Sequence, residues 1–183
     1  MIVAAQVSVA LLHHPVRNRL GEEITSTVDH FDVMDGSRLA LTYGLRQLVI
    51  VNHIPAQRAL VERLIRHGVG ERDEARGEFA RTAWAPDLAS VLDEHTRALG
   101  VRPTVVATTA KRCPDAIDYA TLRRRIEGGE PTLVLIGKAW GLAPHVIDAA
   151  DLRLAPIEGG TAFNHLSVRS AMAIIVDRLL GRL

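Results

Sequence analysis

Five short apolar segments recur along the chain, separated by longer stretches in which apolar residues repeat at helical spacing. Each short segment is almost continuously apolar instead of alternating with polar residues. Continuous apolar runs of this length are typical of strands that are covered on both faces of a parallel sheet. The pattern predicts strands at residues 3–12, 48–51, 104–108, 132–136 and 152–155.

The stretches between these segments predict helices. Three of the helices are followed directly by a glycine, Gly44, Gly68 or Gly100, and glycine most easily adopts the left-handed conformation after a helix C-terminus. Strands that alternate with helices predict an α/β fold with a mostly parallel sheet flanked by helices. The predicted helices span residues 32–43, 55–67, 86–99, 119–126 and 165–180.

Length and composition favour a single domain over residues 1–183. The chain has 183 residues, of which 48% are hydrophobic, and this suits one compact core. The charged stretch near residues 70–82 is interpreted as an excursion within that domain. Too few residues lie on either side of it to form two α/β domains.

The basic residues are almost all arginine, although the formal net charge is only +1. Among the 22 lysines and arginines, Lys111 and Lys138 are the only lysines. Arginine pairs bidentately with phosphate and stacks on bases, which favours a nucleic-acid surface. GC-rich codon usage explains the same excess, so the sequence leaves both explanations open.

Cysteine content and hydropathy indicate the compartment. The single cysteine, Cys113, excludes an internal disulfide and a multi-cysteine metal site. The first apolar segment lacks a basic region before it and is interrupted by Gln6 and Ser8, so it is interpreted as a buried strand and not as a secretory signal. No apolar run approaches the roughly 20 residues of a membrane helix. We therefore expect a soluble, cytoplasmic protein.

Two glycine-bearing loops follow the fourth and fifth predicted strands. Residues 137–146 read GKAWGLAPHV, and residues 156–167 read PIEGGTAFNHLS. Ligands of open α/β sheets bind at the carboxyl ends of strands, so these loops form the candidate binding site. The glycine fingerprints of dinucleotide, nucleoside triphosphate and hydrolase sites are absent. The pairs His13–His14 and Asn164–His165 lack metal-ligand spacing, which predicts no metal.

The segments LVLIGKAWGL, DLRLAPIEGG and NHLSVRSAMAIIVDRLLG are similar in order and spacing to the three C-terminal motifs of the SPOUT superfamily of knotted S-adenosylmethionine-dependent RNA methyltransferases. The segment DVMDGSRLALTYGLRQLVIVN resembles the motif that opens its ribose-methylating branch, with Asp32, Arg38 and Gly44 in the matching places. That branch usually has asparagine in place of Asp32, threonine in place of Leu39, and asparagine in place of His165.

The resemblance implies a C-terminal deep trefoil knot that holds S-adenosylmethionine, with Gly159 and Gly160 at the chain crossing. It also implies a homodimer formed through the knot and the C-terminal helix, and an RNA substrate, with tRNA favoured over rRNA. Two alternatives remain open: a methyltransferase that acts on a protein or small molecule, and a non-catalytic cofactor-binding protein of the same fold.

Site residues follow from the same resemblance. Arg38 is the first candidate for a catalytic residue, and Asp32 and His165 are alternative proton acceptors. Apart from the resemblance, residues 13–27 follow the first strand, and Arg17, Asn18 and Arg19 make this segment a candidate lid over the substrate. The residues expected to contact the cofactor are Thr108, Leu135, Ile136, Gly137, Trp140, Gly141, Pro156, Ile157, Asn164, Leu166 and Ser167.

Overall fold

A computed structural model describes residues 6–68, 77 and 79–182. Six strands of this part form one sheet, in which all paired neighbours are parallel. In chain order these strands are β1 (Val7–Leu12), β4 (Gln47–Val51), β5 (Thr82–Ala85), β6 (Thr104–Thr108), β7 (Thr132–Gly137) and β8 (Leu152–Leu154), and a separate antiparallel hairpin contains β2 (Val16–Arg17) and β3 (Glu23–Ile24).

Helices flank both faces of the sheet, which is the α/β architecture that the pattern predicts. The strand order is β5-β4-β1-β7-β6-β8. None of the described helices is long and apolar enough to span a membrane. The helices are α1 (His30–Thr42), α2 (Pro55–Gly68), α3 (Leu88–Leu99), α4 (Tyr119–Glu127), α5 (Pro144–Asp148) and α6 (Val168–Leu180).

Two apolar clusters on opposite faces explain why the strands are continuously apolar. In β1, Val9 and Leu11 pack in the cluster that includes residues of α1, α2, α4 and α6. Ala10 and Leu12 pack in the cluster that includes residues of α3 and α5. Successive residues of a strand point to opposite faces, so burial of both faces requires an apolar residue at nearly every position.

Side-chain caps account for the helix boundaries that the pattern misplaces. The first helix begins at His30 and not at residue 32, because Asp29 accepts a hydrogen bond from the backbone N–H of Phe31. The third begins at Leu88, after the cap Asp87. The last begins at Val168 and not at residue 165, because Ser167 caps it by accepting from the N–H of Ser170.

Three elements were not predicted: the β2–β3 hairpin, the short α5, and β5 at the edge of the sheet. Strand β5 has only four residues, TAWA, and its first residue falls within the charged stretch at 70–82. Residues 70–76 and 78 of that stretch, and residues 3–5 of the first predicted strand, lie outside the described residues.

Candidate active site

A cavity of about 560 Å³ opens at the carboxyl ends of β6, β7 and β8. Its floor is apolar and includes Ile136, Ile157 and Ile175, while Arg17, Arg19 and Lys111 supply positive charge. No Asp or Glu belongs to the described lining. The cavity therefore combines an apolar interior with a positively charged margin.

Most of the residues expected to contact a cofactor lie together in this cavity, as does His165. Leu135 and Ser167 do not line it. Leu135 is buried in the core, where its carbonyl accepts a hydrogen bond from Thr108 Oγ1 at 2.8 Å, and Ser167 caps α6. The expected residues that line the cavity are Thr108, Ile136, Gly137, Trp140, Gly141, Pro156, Ile157, Asn164 and Leu166.

Gly137 allows the loop after β7 to fold back on the end of its own strand. A Cβ atom at this position would lie 2.6 Å from the carbonyl carbon of Gly141 and 3.0 Å from Leu142 Cα. Real Cβ atoms essentially never approach other atoms this closely. Residue 137 must therefore be glycine for the cavity wall to keep this shape.

Gly159 and Gly160 do not mark a close chain crossing, contrary to expectation. Cβ atoms built at these two positions meet nothing within 4 Å, and both residues are exposed. Gly160 has a positive φ of 76°, which is a turn requirement and not a packing requirement. The tight backbone approach of this region lies at Gly137 instead.

The loop after β6 contributes more to the cavity than Thr108, the one cofactor contact expected there. Thr109, Ala110 and Lys111 also line the cavity. Asn164 Nδ2 donates to the carbonyl oxygen of Ala110 at 3.1 Å, which joins this loop to the segment after β8. The other missed lining residues are Leu20, Gly21, Tyr119, Ala139, Ala155, Val168, Ala171 and Ile175.

The β2–β3 hairpin, which belongs to the candidate lid segment, covers one side of the cavity. The N–H of Arg17 donates to the carbonyl of Gly141 at 2.9 Å, and the N–H of Trp140 donates to the carbonyl of Arg17 at 3.0 Å. The Arg17 guanidinium also donates through Nε to the carbonyl of Leu142 at 3.1 Å. The hairpin is therefore fastened to the loop after β7, and its tip, with Leu20 81% exposed, faces the cavity mouth.

Trp140 and His165 form the outer part of the cavity. Their ring centroids are 4.7 Å apart, with an angle of 31° between the ring planes. One ring comes from the loop after β7 and the other from the segment that leads into α6. The contact closes the cavity between these two segments.

The three candidate catalytic residues are not brought together within one chain. Arg38 is exposed on α1 and Asp32 is buried at the start of that helix. His165 alone lines the cavity.

Asp32 occupies a buried charged cluster. Its Oδ2 atom contacts the Lys138 ammonium, lies 3.5 Å from His13 Nε2 and accepts from the N–H of Asp29 at 3.3 Å. Burial alone would raise the pKa of Asp32, but the His13 and Lys138 contacts outweigh it and hold the pKa below its usual value. Asp32 is therefore an ionised structural partner in this arrangement.

The fold and the cavity define a class: an α/β protein with a ligand-sized cavity at the carboxyl edge of a parallel sheet. The family follows from comparison with known sequences. Residues 6–181 match a family described as SAM-dependent RNA methyltransferase, and the chain belongs to this family. The match confirms the expected family, which is one of S-adenosylmethionine-dependent RNA methyltransferases.

Curated relatives and solved structures agree with this assignment. The chain is 35% identical over 177 residues to a tRNA (guanine-N(1)-)-methyltransferase of Oleidesulfovibrio alaskensis, a match that covers 94% of this chain and 41% of that protein. It therefore spans about two fifths of that relative's length. It is also 32% identical to an uncharacterised protein of Aquifex aeolicus, covering 100% of this chain and 92% of the relative.

Solved structures show the fold. The SpoU methyltransferase AviRb of Streptomyces viridochromogenes, in complex with AdoMet, superposes with a TM-score of 0.61 at 18% identity and covers 94% of this chain and 56% of its own. A TrmH/SpoU tRNA modifying enzyme of A. aeolicus has a TM-score of 0.60 at 15% identity, over 96% of this chain and 74% of its own. The mostly parallel sheet flanked by helices is thus shared with SpoU-type methyltransferases.

Proposed function

We propose that this chain transfers the methyl group of S-adenosylmethionine to a nucleotide of tRNA. The cavity at the carboxyl edge of the sheet carries the proposal, because its apolar interior suits an uncharged adenine and its positive margin suits RNA phosphate. Bound S-adenosylmethionine supplies an activated methyl group. The protein then has to bind the two substrates, orient them towards each other and keep other groups away from the methyl group.

Within the cavity, we assign the apolar residues Ile136, Ile157 and Leu166 to the adenine. Main-chain groups of the loop after β7 supply the polar contacts, since Gly137 and Gly141 leave the backbone accessible. Lys111 and Arg19, on the positively charged side of the cavity, are assigned to the phosphates of the RNA.

The methylated atom follows less directly from the relatives. The O. alaskensis relative is named for guanine N1, but most of its length has no counterpart in this chain. The TrmH/SpoU neighbour is named as a tRNA modifying enzyme, and the motif around Arg38 resembles the ribose-methylating branch. We therefore propose tRNA as the substrate, with a base atom and a ribose oxygen as the two acceptor candidates.

We further propose the knotted arrangement of the SPOUT superfamily. Strand β6 lies between β7 and β8 in the sheet, so the chain from β7 to β8 passes across β6. The segment after β8 then returns to Ala110 through Asn164 before α6 packs against α1, α4 and β7. This return path fits a chain that threads through the loop after β7.

A homodimer is proposed as the active form. Arg38 lies outside the cavity of its own chain, and a second copy would allow a substrate site to draw residues from both chains. Phe163 is 77% exposed just before α6, with Leu166 and Trp140 also exposed nearby, and these side chains suit an interface. The apolar stripe of α6 is used within the chain, where Met172, Ile175 and Leu179 are buried.

The function is tested by incubating the protein with radiolabelled S-adenosylmethionine and either bulk tRNA, bulk rRNA or a protein fraction. We expect label in tRNA, and mass spectrometry of the tRNA nucleosides then identifies the methylated atom. Label in the protein fraction alone would contradict the proposal. Cofactor binding by calorimetry with no transfer to any fraction would indicate a non-catalytic binding protein.

A further inference from the structure

Three elements bring ionisable side chains together beside the cavity, and we refer to His13, Asp32 and Lys138 as the Asp32 cluster. His13 follows β1, Asp32 lies in the first turn of α1, and Lys138 follows β7. The exposed fractions of the His13 and Asp32 side chains are 0% and 1%, whereas that of Lys138 is 20%. The cluster therefore extends from a buried histidine to a lysine whose side chain is partly accessible.

Stability alone is a poor explanation for this arrangement. Burying a charged pair costs desolvation energy that the mutual attraction often does not recover, so apolar residues frequently serve stability as well. In addition, the buried His13 Nε2 faces the Asp32 carboxylate at 3.5 Å, too far for a well-formed hydrogen bond, and makes no other hydrogen bond among the described residues. Unsatisfied buried polar atoms are uncommon and costly. Ionisable groups held in such surroundings are frequently found at functional sites.

The backbone places Lys138 at the border of the cavity. Its neighbours Gly137 and Ala139 both line the cavity, and its own N–H donates to the carbonyl of Leu12 at 2.9 Å. Ala139 has a positive φ of 54°, an uncommon conformation for alanine. The Lys138 side chain leaves the loop towards Asp32 on α1. Lys138 is not itself a lining residue, so it lies next to the cavity wall, beside the space where the cofactor is proposed to bind.

We propose that the Lys138 ammonium contacts the methyl-accepting nucleotide and stabilises the negative charge that develops on it, with Asp32 and His13 as positioning residues. This inference rests on the proposed function. An ammonium has three donors and no acceptor, so Lys138 supplies charge and hydrogen bonds. Asp32 holds the ammonium in place, and His13 supports the Asp32 carboxylate from its buried side.

The bonds formed and broken during methyl transfer show which charge the Lys138 ammonium would stabilise. A lone pair of the acceptor atom forms the bond to the methyl carbon, the carbon–sulfur bond breaks, and its electron pair neutralises the sulfonium. The proton of the acceptor leaves to solvent water. A fixed cation beside the acceptor lowers the energy of the charge that accumulates as this proton departs, which is the type of electrostatic stabilisation that preorganised groups supply.

The test uses Lys138→Met, which removes the charge, and Lys138→Arg, which retains it in a different shape. Arg97→Met is the matched control, because Arg97 is an exposed cation near the end of α3, outside the cavity. We expect Lys138→Met to lower kcat on bulk tRNA roughly a hundredfold. The Kd for S-adenosylmethionine and the KM for tRNA should change little, Lys138→Arg should recover part of kcat, and Arg97→Met should match the wild type.

A second variant tests the positioning role. His13→Asn keeps Lys138 but removes the imidazole behind Asp32, and we expect a smaller loss of kcat with cofactor affinity retained. A wild-type kcat in Lys138→Met would overturn the inference. Loss of cofactor binding together with kcat would also overturn it, because it would show that the cluster only shapes the cavity. A wild-type protein that binds the cofactor but methylates no tRNA would instead refute the proposed function, and the inference with it.

Discussion

At the scale of single residues, Gly137 is closely packed against backbone whereas Gly159 is surrounded by open space. Alanine substitutions at the two positions therefore distinguish the effect of packing from the effect of losing glycine's conformational freedom. We expect Gly137→Ala to lower the free energy of unfolding by about 1–3 kcal/mol, the usual range for overpacking, because its Cβ would collide with the backbone of residues 141 and 142. Cofactor affinity should fall as well, since the collision displaces the cavity wall. Chemical denaturation and calorimetry measure the two effects.

Gly159→Ala is the control for that substitution. A Cβ at Gly159 meets nothing within 4 Å, and the residue does not have a positive φ. The free energy of unfolding should stay within about 0.5 kcal/mol of the wild type, as is usual for surface substitutions. Equal losses in the two variants would contradict the assignment of the tight approach to Gly137.

Asp32 makes the stability of the protein depend on pH in a defined direction. Its pKa is lower in the folded protein than its ordinary value of 3.8, so the folded state favours the ionised carboxylate. The stabilising contribution is therefore fully present above pH 3.8 and is lost as the pH falls from there through the folded pKa. Chemical denaturation between pH 7 and pH 3 should show this loss.

The variant Asp32→Asn should be less stable at pH 7, by about 3 kcal/mol, because it leaves the Lys138 ammonium without its carboxylate. Its stability should also fall less steeply below pH 3.8. Asp93→Asn is the control, since Asp93 is an exposed carboxylate on α3, and it should retain the wild-type slope. An Asp32→Asn protein with the wild-type slope would show that other carboxylates govern the acid response.

At the scale of elements, the Arg17 side chain adds to the backbone hydrogen bonds that hold the β2–β3 hairpin to the cavity wall. Arg17→Ala removes the guanidinium bonds to the carbonyls of Leu142 and Trp140. Hydrogen bonds from charged groups contribute roughly 1.5–3 kcal/mol, so the hairpin should detach more often. We expect faster proteolytic cleavage at residues 18–21 and weaker S-adenosylmethionine binding.

Arg19→Ala is the matched change at the hairpin tip, because Arg19 lines the cavity but does not make the Arg17 contacts. It should leave the proteolysis rate and cofactor affinity near wild type while weakening RNA binding and reducing its salt dependence. If Arg17→Ala and Arg19→Ala are cleaved at the same rate, the guanidinium contacts do not hold the hairpin.

The elements also show where pattern analysis succeeds. All five predicted strands are present, because continuous apolar runs directly record burial on two faces. The β5 strand escaped prediction because an edge strand of four residues needs little apolar sequence. The β2–β3 hairpin escaped for a related reason: its attachment depends on contacts of Arg17 with residues about 125 positions later, which no local pattern contains.

At the scale of the whole molecule, we expect a homodimer in solution. Light scattering at micromolar concentration should give about twice the 20.0 kDa mass of one chain. Phe163→Asp should shift the population towards the monomer, because the exposed ring lies in the proposed interface and its replacement introduces a charge. Val101→Asp is the control. Val101 is an exposed apolar residue just before β6, so it lies near the amino end of that strand, whereas the cavity lies at the carboxyl end.

A wild-type mass of 20.0 kDa would contradict the dimer. It would also remove the route by which Arg38 reaches a substrate. If Phe163→Asp, Val101→Asp and the wild type all dimerise to the same extent, the interface lies away from the segment before α6.

The sequence by itself determined the fold class, most of the elements that build it and the family. Apolar runs, helical spacing and the order of four motifs can each be recognised in the sequence without knowing the tertiary contacts. The cofactor loops were also legible, because strand ends in open α/β sheets are where ligands bind. Nine of the eleven expected cofactor contacts accordingly line one cavity.

The tertiary structure alone decided which of these residues meet. Leu135 and Ser167 belong to the right segments, yet one points into the core and the other caps a helix. Asp32 was chosen as an alternative proton acceptor, but packing of α1 against the sheet buries it beside His13 and Lys138. Sequence patterns encode whether a residue is buried, whereas its partner depends on contacts between residues far apart in the chain. Here those contacts are set by how β1, α1 and β7 come together.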